Sequence, residues 1–311
     1  MQYPMRAAIC TKYGPPEVLQ IRNVAKPIPK DHEILVKIMA STVNSGDVRV
    51  RGLVVHGFMK VIMRFVLGFA KPRRPVLGTV FAGIIEGVGK HVTNFNIRDE
   101  VYGSTGFQFG THAEYLVISE TANVITKPHN ASFDEAAAII FGGQSAIYFL
   151  HKAHIAEKQH PQILIYGASG AVGSAAIQIA KYYKATITAV CSSRSQKLVK
   201  SLGADKVILY DKEDFTHLTT KFDIIFDAVG KTSKKQCLPL LRSDGIYKTV
   251  EGFEVATETR AQLELLRKLY ERREYQAVID RVYPFSQLVA AHRYVESGRK
   301  QGNVVLQMGK H

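Results

Sequence analysis

The chain has 311 residues, 46% hydrophobic and 22% charged. That balance excludes a disordered or fibrous protein, and the length allows two domains, each with its own core. Lys and Arg outnumber Asp and Glu by 41 to 27, a formal charge of +14 that suits anionic ligands; the basic residues are scattered, which disfavours nucleic acid as a partner.

The first residues, MQYPMRAAIC, hold neither an apolar run nor a cleavage site, so a cytoplasmic protein is expected. From there to about residue 125 the chain reads as short strands: MRAAIC, VLQIRNV, EILVKIMAS, GIIEGVG, EVYGS and HAEYLVI. Gly, Pro, Asn and Asp fall between them, the pattern of an all-β, barrel-like unit. Residues 53–75 stand apart. His56, Lys60 and Arg64 lie four apart on one helical face, and Phe58, Ile62, Phe65 and Phe69 share the other. The interior cations argue against a membrane span. A packed amphipathic helix is expected, with weak surface contact to a membrane left open.

From Ser132 the pattern changes. An N-cap serine with acids in the first turn opens a helix through SFDEAAAIIFGGQSAIYFLHKA. Strands and helices then alternate. Strands are expected at 163–166, 186–191, 206–210, 223–229 and 245–250, and helices at 172–183, 195–202 and 232–241. Such alternation predicts a doubly wound parallel sheet, hence an α/β protein. The first strand, ILIY, runs straight into Gly167, Gly170 and Gly173 and then a helix. A helix N-terminus reached through glycine exposes unpaired N–H groups to an anion, and after the first strand of such a sheet that anion is a dinucleotide pyrophosphate. An NAD site carries an acid at the end of the second strand. Here that position reads Cys191, Ser192, Ser193, Arg194, Ser195, Gln196, Lys197, which suits the 2′-phosphate of NADP. Cys10, Cys191 and Cys237 are odd in number and widely spaced, and read as free, buried thiols in a reducing compartment.

These motifs resemble, in order and over nearly the whole chain, the zinc-independent NADPH:quinone oxidoreductases (zeta-crystallin-like) of the medium-chain dehydrogenase/reductase superfamily. The resemblance runs from AAICTKYGPPEVLQIRNV through VNSGDVRVRG, PVLGTVFAGIIEGVGKHVTNF and GASGAVGSAAIQIAK to AVIDRVYPFSQLVAAHRYVESGRKQGNVVLQM. It implies a GroES-like β-barrel domain over 1–125 and 278–311, a Rossmann NADP-binding domain over 126–277, and a cofactor cleft between them. It also implies hydride transfer from NADPH to a small molecule, a quinone or other α,β-unsaturated carbonyl. Zinc-dependent relatives place a cysteine where this chain has Asn44, and no Cys/His set remains here to hold a catalytic metal. An acceptor that is already electrophilic does without one.

By resemblance, Asn44 and Asp47 lie at the nicotinamide and are the catalytic candidates; a polar turn that caps its own backbone is the alternative. Gly143 and Gln144 line the same cleft. Gly167, Ser169, Gly170, Ala171, Val172 and Gly173 meet the pyrophosphate, and Ser192, Arg194 and Lys197 the 2′-phosphate. Tyr210 and Val229 complete the cofactor set, Tyr210 against the adenosine. The family's GDxVxG signature starts here with Arg98 in place of glycine. Two other readings stay open: an enoyl-thioester reductase, and an NADPH-binding redox sensor with little turnover. After GIYKTV the chain keeps only EGFEVATET, residues 251–259, before its next helix, where relatives carry a longer stretch. That is too short for another parallel crossover, so five parallel strands are expected. A family-type dimer through that edge is expected to be lost or rebuilt, which leaves the oligomeric state open.

Overall fold

The structure, a computed structural model, describes residues 4–53, 64–252 and 254–309. The chain divides into two compact units, Met1–Ile140 with Ile279–His311, and Phe141–Val278.

The first unit is built of β-structure. β1 (Pro4–Cys10) and β2 (Leu19–Ala25) pair antiparallel. β3 (Glu33–Val43) is the long central strand, and Asn44 at its end caps α1 (Ser45–Gly52). β4 (Val80–Val88), β5 (Glu100–Ser104) and β7 (Val124–Thr126) extend the sheet on one side, while β6 (Tyr115–Ser119) pairs with β3. Inward side chains of these strands, among them Ile34, Val36, Ile38, Phe81, Ile85 and Val101, form one apolar cluster. Each removes roughly 1.5–3 kcal/mol worth of apolar surface from water. Before β5, Arg98 takes φ +78°, the left-handed conformation that the glycine of the related signature would adopt without strain.

Of residues 53–75, positions 54–63 fall outside the described residues, and with them His56, Phe58, Lys60 and Ile62. Leu67 turns inward onto Leu53 and Phe109, whereas Phe65 and Phe69 stand exposed with their rings edge to face at 4.8 Å. No helix among the described residues is long and apolar enough to cross a membrane.

α2 (Phe133–Lys152) begins at Ser132, whose Oγ accepts from the Glu135 N–H at 3.2 Å and whose N–H donates to Glu135 Oε2 at 2.8 Å. The sequence predicts this capping box. The break between units falls inside α2, after Ile140. Next come β8 (Gln162–Tyr166), α3 (Ala171–Tyr182), β9 (Thr186–Cys191), α4 (Gln196–Ser201) and β10 (Lys206–Leu209). β11 (Phe222–Asp227), α5 (Lys234–Cys237), β12 (Leu241–Thr249) and α6 (Arg260–Glu271) complete the second unit. Its five strands run parallel in the order β10-β9-β8-β11-β12. β8 is central, and Ile163, Leu164 and Ile165 are fully buried, which explains the run without polar alternation.

Two expected elements are shorter than their patterns. β11 stops at Asp227, not 229, because the Asp227 carboxylate captures the N–H groups of Val229, Gly230 and Thr232. The helix expected over 232–241 is one α-turn and a 3-10 turn, since Pro239 has no N–H to continue it. Residues 254–258 form no strand, so the sheet has five parallel strands among the described residues.

The chain then returns to the first unit. β13 (Ile279–Pro284) and β14 (Asn303–Gln307) pair parallel across α7 (Leu288–Glu296). β14 adds to β3 antiparallel, with Val304 opposite Val43, and completes a seven-stranded sheet.

Candidate active site

In the second unit the three glycines of the β8–α3 turn are glycine for different reasons. Gly167 has φ +73°, and a Cβ there would sit 2.5 Å from Val229 Cγ1. Gly173 has an ordinary backbone, but a Cβ would meet the Gly167 carbonyl oxygen at 2.2 Å and Ala168 Cα at 2.7 Å. Both positions are set by close local packing, Gly167 against the Val229 loop and Gly173 against the backbone of the preceding turn. Gly170 is not. Its φ is −75°, its ψ 178°, and the nearest atom to an added Cβ is 3.6 Å away. Nothing in the chain needs that space. Gly170 is the N-cap of α3 and supplies no side-chain acceptor, so the N–H groups of Ala171, Val172 and Gly173 have no intrahelical partner. Ser169 adds a half-buried hydroxyl beside them. Open space before several unpaired N–H groups at a helix N-terminus fits a phosphate.

At the end of β9, Ser192 is half-buried with its Oγ 3.3 Å from that of Ser195, while Arg194 and Lys197 are exposed. The neighbouring strand brings a group that the sequence reading missed. β10 pairs with β9, and just past its end Asp211 reaches Ser193, accepting the N–H at 2.9 Å and the hydroxyl at 2.5 Å. These bonds hold the Asp211 carboxyl below its usual range. The β9 end therefore does face an acid, supplied from another strand. Tyr210 lies half exposed against Tyr166, rings 6.3 Å apart and nearly parallel. Both line an open pocket of about 380 Å³ with Phe215 and Asp211.

Gly143 and Gln144 are buried on α2. A Cβ on Gly143 would strike Leu266 of α6 at 2.6 Å. Gln144 is fully buried, and its Nε2 donates to Thr259 O at 3.0 Å and to Gln262 Oε1 at 3.3 Å. They pack against α6 and tie α2 to its start. Asp227 is another missed residue. Fully buried, it shapes the loop that carries Val229 through three backbone N–H groups and the Thr232 hydroxyl.

In the first unit Asn44 and Asp47 form a capping box. Asn44 Oδ1 accepts the Asp47 N–H at 3.1 Å, and Asp47 Oδ2 accepts the Asn44 N–H at 2.9 Å. Asp47 Oδ1 also takes the Gly78 N–H at 3.1 Å, and Asn44 Nδ2 donates to Thr79 Oγ1 at 3.0 Å. Both residues are buried, and burial pushes the Asp47 carboxyl above its usual range against the pull of nearby His112. The pair thus caps its own turn, and Asp47 in addition holds the Gly78 backbone.

Near it lies a polar group with no sequence signature. The Arg51 guanidinium is fully buried and reaches Glu296 through Nη2 at 2.7 Å, leaving Nε and Nη1 unpartnered. His292 is one turn before Glu296 on α7, also buried, with neither ring nitrogen partnered. Its ring stands edge-on to His112 at 5.6 Å, and His112 Nε2 lies 3.0 Å from Thr42 O. Such orphans call for buried water. No group of three His, Cys, Asp or Glu among the described residues is placed to hold a metal ion. All three cysteines are free and buried, and burial pushes Cys10 and Cys191 up to about 11.

A parallel sheet with a phosphate-ready glycine turn, on a chain that also carries a largely antiparallel β unit, defines a pyridine-nucleotide oxidoreductase. Residues 30–129 match the alcohol dehydrogenase GroES-like domain, and residues 202–306 a family described as zinc-binding dehydrogenase. The chain is 35% identical to the 2-methylene-furan-3-one reductase of Solanum lycopersicum, over 97% of this chain and 79% of that one. It is 31% identical to the human quinone oxidoreductase, over 78% and 71% of the two chains. A quinone oxidoreductase from Coxiella burnetii superposes with a TM-score of 0.88 at 28% identity, covering 99% of this chain and 100% of its own. The chain belongs to the quinone oxidoreductase family of the medium-chain dehydrogenase/reductase superfamily.

Proposed function

We propose that the protein reduces a small quinone or another α,β-unsaturated carbonyl with NADPH, the second unit holding the nucleotide and the first the acceptor. The observation that carries the cofactor half is Gly170, a glycine that neither backbone strain nor packing requires, at a helix N-terminus with unpaired N–H groups. Ser169, Ala171 and Val172 would surround the pyrophosphate there, backed by Gly167 and Gly173. Ser192, Arg194 and Lys197 would meet the 2′-phosphate, and Tyr210 and Val229 the rest of the nucleotide. When bound, NADPH supplies hydride. The acceptor half rests on relatives whose names specify a methylene-furanone, an alkenal or enone, and a quinone. All are alkenes conjugated to a carbonyl, polarised without a Lewis acid, so the chain's share is orientation and hydrogen bonding. Asn44 and Asp47 contribute by fixing the turn into α1 and, through it, Thr79.

Stopped-flow measurement of NADPH oxidation against a panel of quinones, enones and one enoyl thioester tests the reading. Turnover is expected with quinones or enones and not with the thioester. A flat trace across the panel, with NADPH bound, would overturn it in favour of a nucleotide-binding sensor. NADPH is expected to bind at least about tenfold more tightly than NADH, roughly 1.4 kcal/mol. Arg194→Ala should remove most of that difference, and equal affinities in the unaltered protein would refute the NADPH assignment.

A further inference from the structure

We infer that Asp211 is a specificity-determining residue for the nucleotide, an acid that opposes the 2′-phosphate and limits the preference for NADPH. This rests on the nucleotide site proposed above, although its direction does not depend on which dinucleotide wins. In nucleotide-binding sheets of this kind, the end of the strand after the glycine turn is where a carboxylate grips the ribose of NAD. β9 itself ends in hydroxyls and cations, yet the position is not free of acid. Asp211 stands on the neighbouring strand's far end and spans to Ser193, taking both its N–H and its hydroxyl. Those are donors that a phosphate would otherwise use.

Three carboxylates line the pocket here, Asp211, Glu213 and Asp214, against one cation, Lys212. Two of them close locally. Glu213 accepts the Leu209 N–H at 3.4 Å, and Asp214 accepts the N–H and hydroxyl of Thr216 at 2.9 and 2.8 Å. Asp211 is the one seen to cross to the β9 turn. It is exposed, so binding can displace it, and the displacement is what a 2′-phosphate must achieve and a 2′-hydroxyl need not. A hydroxyl can instead donate to the carboxylate. Arg194 and Lys197 attract the phosphate on the same turn, so the net preference is a balance between two cations and one acid.

The experiment is direct titration of the full chain with NADPH and with NADH, for the unaltered protein, Asp211→Asn and Asp211→Ala. Removing one unit charge about 4 Å from a phosphate in water is worth about fivefold. NADPH affinity should therefore rise by about fivefold or more in both variants, with NADH affinity unchanged or weakened. Asn keeps an acceptor for Ser193, so a gain in Asn as well as Ala separates charge from turn geometry. NADPH binding that is unchanged or weaker in both variants overturns the inference. The two readings fail separately: a protein that prefers NADH refutes the NADPH assignment, yet Asp211→Asn must still move the ratio toward NADPH.

Discussion

Exchanging Gly170 and Gly173 for alanine, one at a time, should separate ligand space from packing space. In Gly173→Ala the new Cβ lies 2.2 Å from the Gly167 carbonyl oxygen and 2.7 Å from Ala168 Cα, both backbone atoms of the preceding turn. Neither can swing aside as a side-chain tip would, so α3 must move from β8. Overpacking of this kind costs about 1–3 kcal/mol, and the two backbone contacts put this site at the upper end. For a unit of this size, about 3 kcal/mol lowers Tm by roughly 6–12 °C. In Gly170→Ala the backbone, at φ −75° and ψ 178°, suits any L-residue, and the nearest atom is 3.6 Å from the Cβ. Alanine there restricts the unfolded chain and should leave Tm unchanged or raise it, a gain of up to about 1 kcal/mol. The same methyl stands where a phosphate would approach the N–H groups, so NADPH affinity should fall by about tenfold or more, about 1.4 kcal/mol. Circular-dichroism melts and NADPH titrations on both variants make the test. A Gly170→Ala protein as destabilised as Gly173→Ala, or one with unchanged NADPH affinity, would refute the division.

Arg98→Gly should relieve the left-handed backbone before β5, a gain of about 1 kcal/mol after the entropy cost of glycine, seen as a Tm higher by roughly 2–4 °C; no gain would mean that the Arg98 side chain repays its strain. His292 is held well below 6.5 by burial, with His112 and Arg51 adding to it. Below that pH the unfolded chain takes up a proton that the native chain refuses, so stability is fully present above pH 6.5 and lost as pH falls from there, by about 1 kcal/mol at one unit lower. His292→Leu should flatten that acid limb in melts between pH 7.5 and 5.5 (roughly one unit either side of the free imidazole value), and an unchanged limb would clear His292 of the effect.

What could be read in advance was whatever the chain writes locally. The apolar run at 163–166 is a strand buried on both faces, and Ser132 with Glu135 caps a helix, because each depends on neighbours within a few positions. The five-strand limit followed from chain length alone, since 251–259 cannot make a parallel crossover. The errors have a common cause. β11 stops early because one buried side chain, Asp227, captures three N–H groups beyond it. Periodicity carries no trace of that. Nor does it show why the polar Gln144 is buried, which only the distant Thr259 and Gln262 explain.

The same distinction divides the site. The glycine turn was legible because three glycines, a strand and a helix lie within twenty residues. Even so, spacing treated the three alike, and only the contacts show that Gly167 and Gly173 serve packing while Gly170 leaves room. At the β9 end the local reading was incomplete in a more consequential way. A search for an acid along residues 191–197 finds none, because the acid arrives from Asp211, next door in the sheet and distant in sequence. Parallel order makes this a general geometric fact. Neighbouring strands end at the same edge, so residues just past β8, β9 and β10 share one rim, and any test for a charged group there must scan all three ends. On that rim the chain sets Arg194 and Lys197 against Asp211. If the nucleotide binds there as proposed, cofactor choice is a difference between opposing charges, and single substitutions on either side should move it in opposite directions.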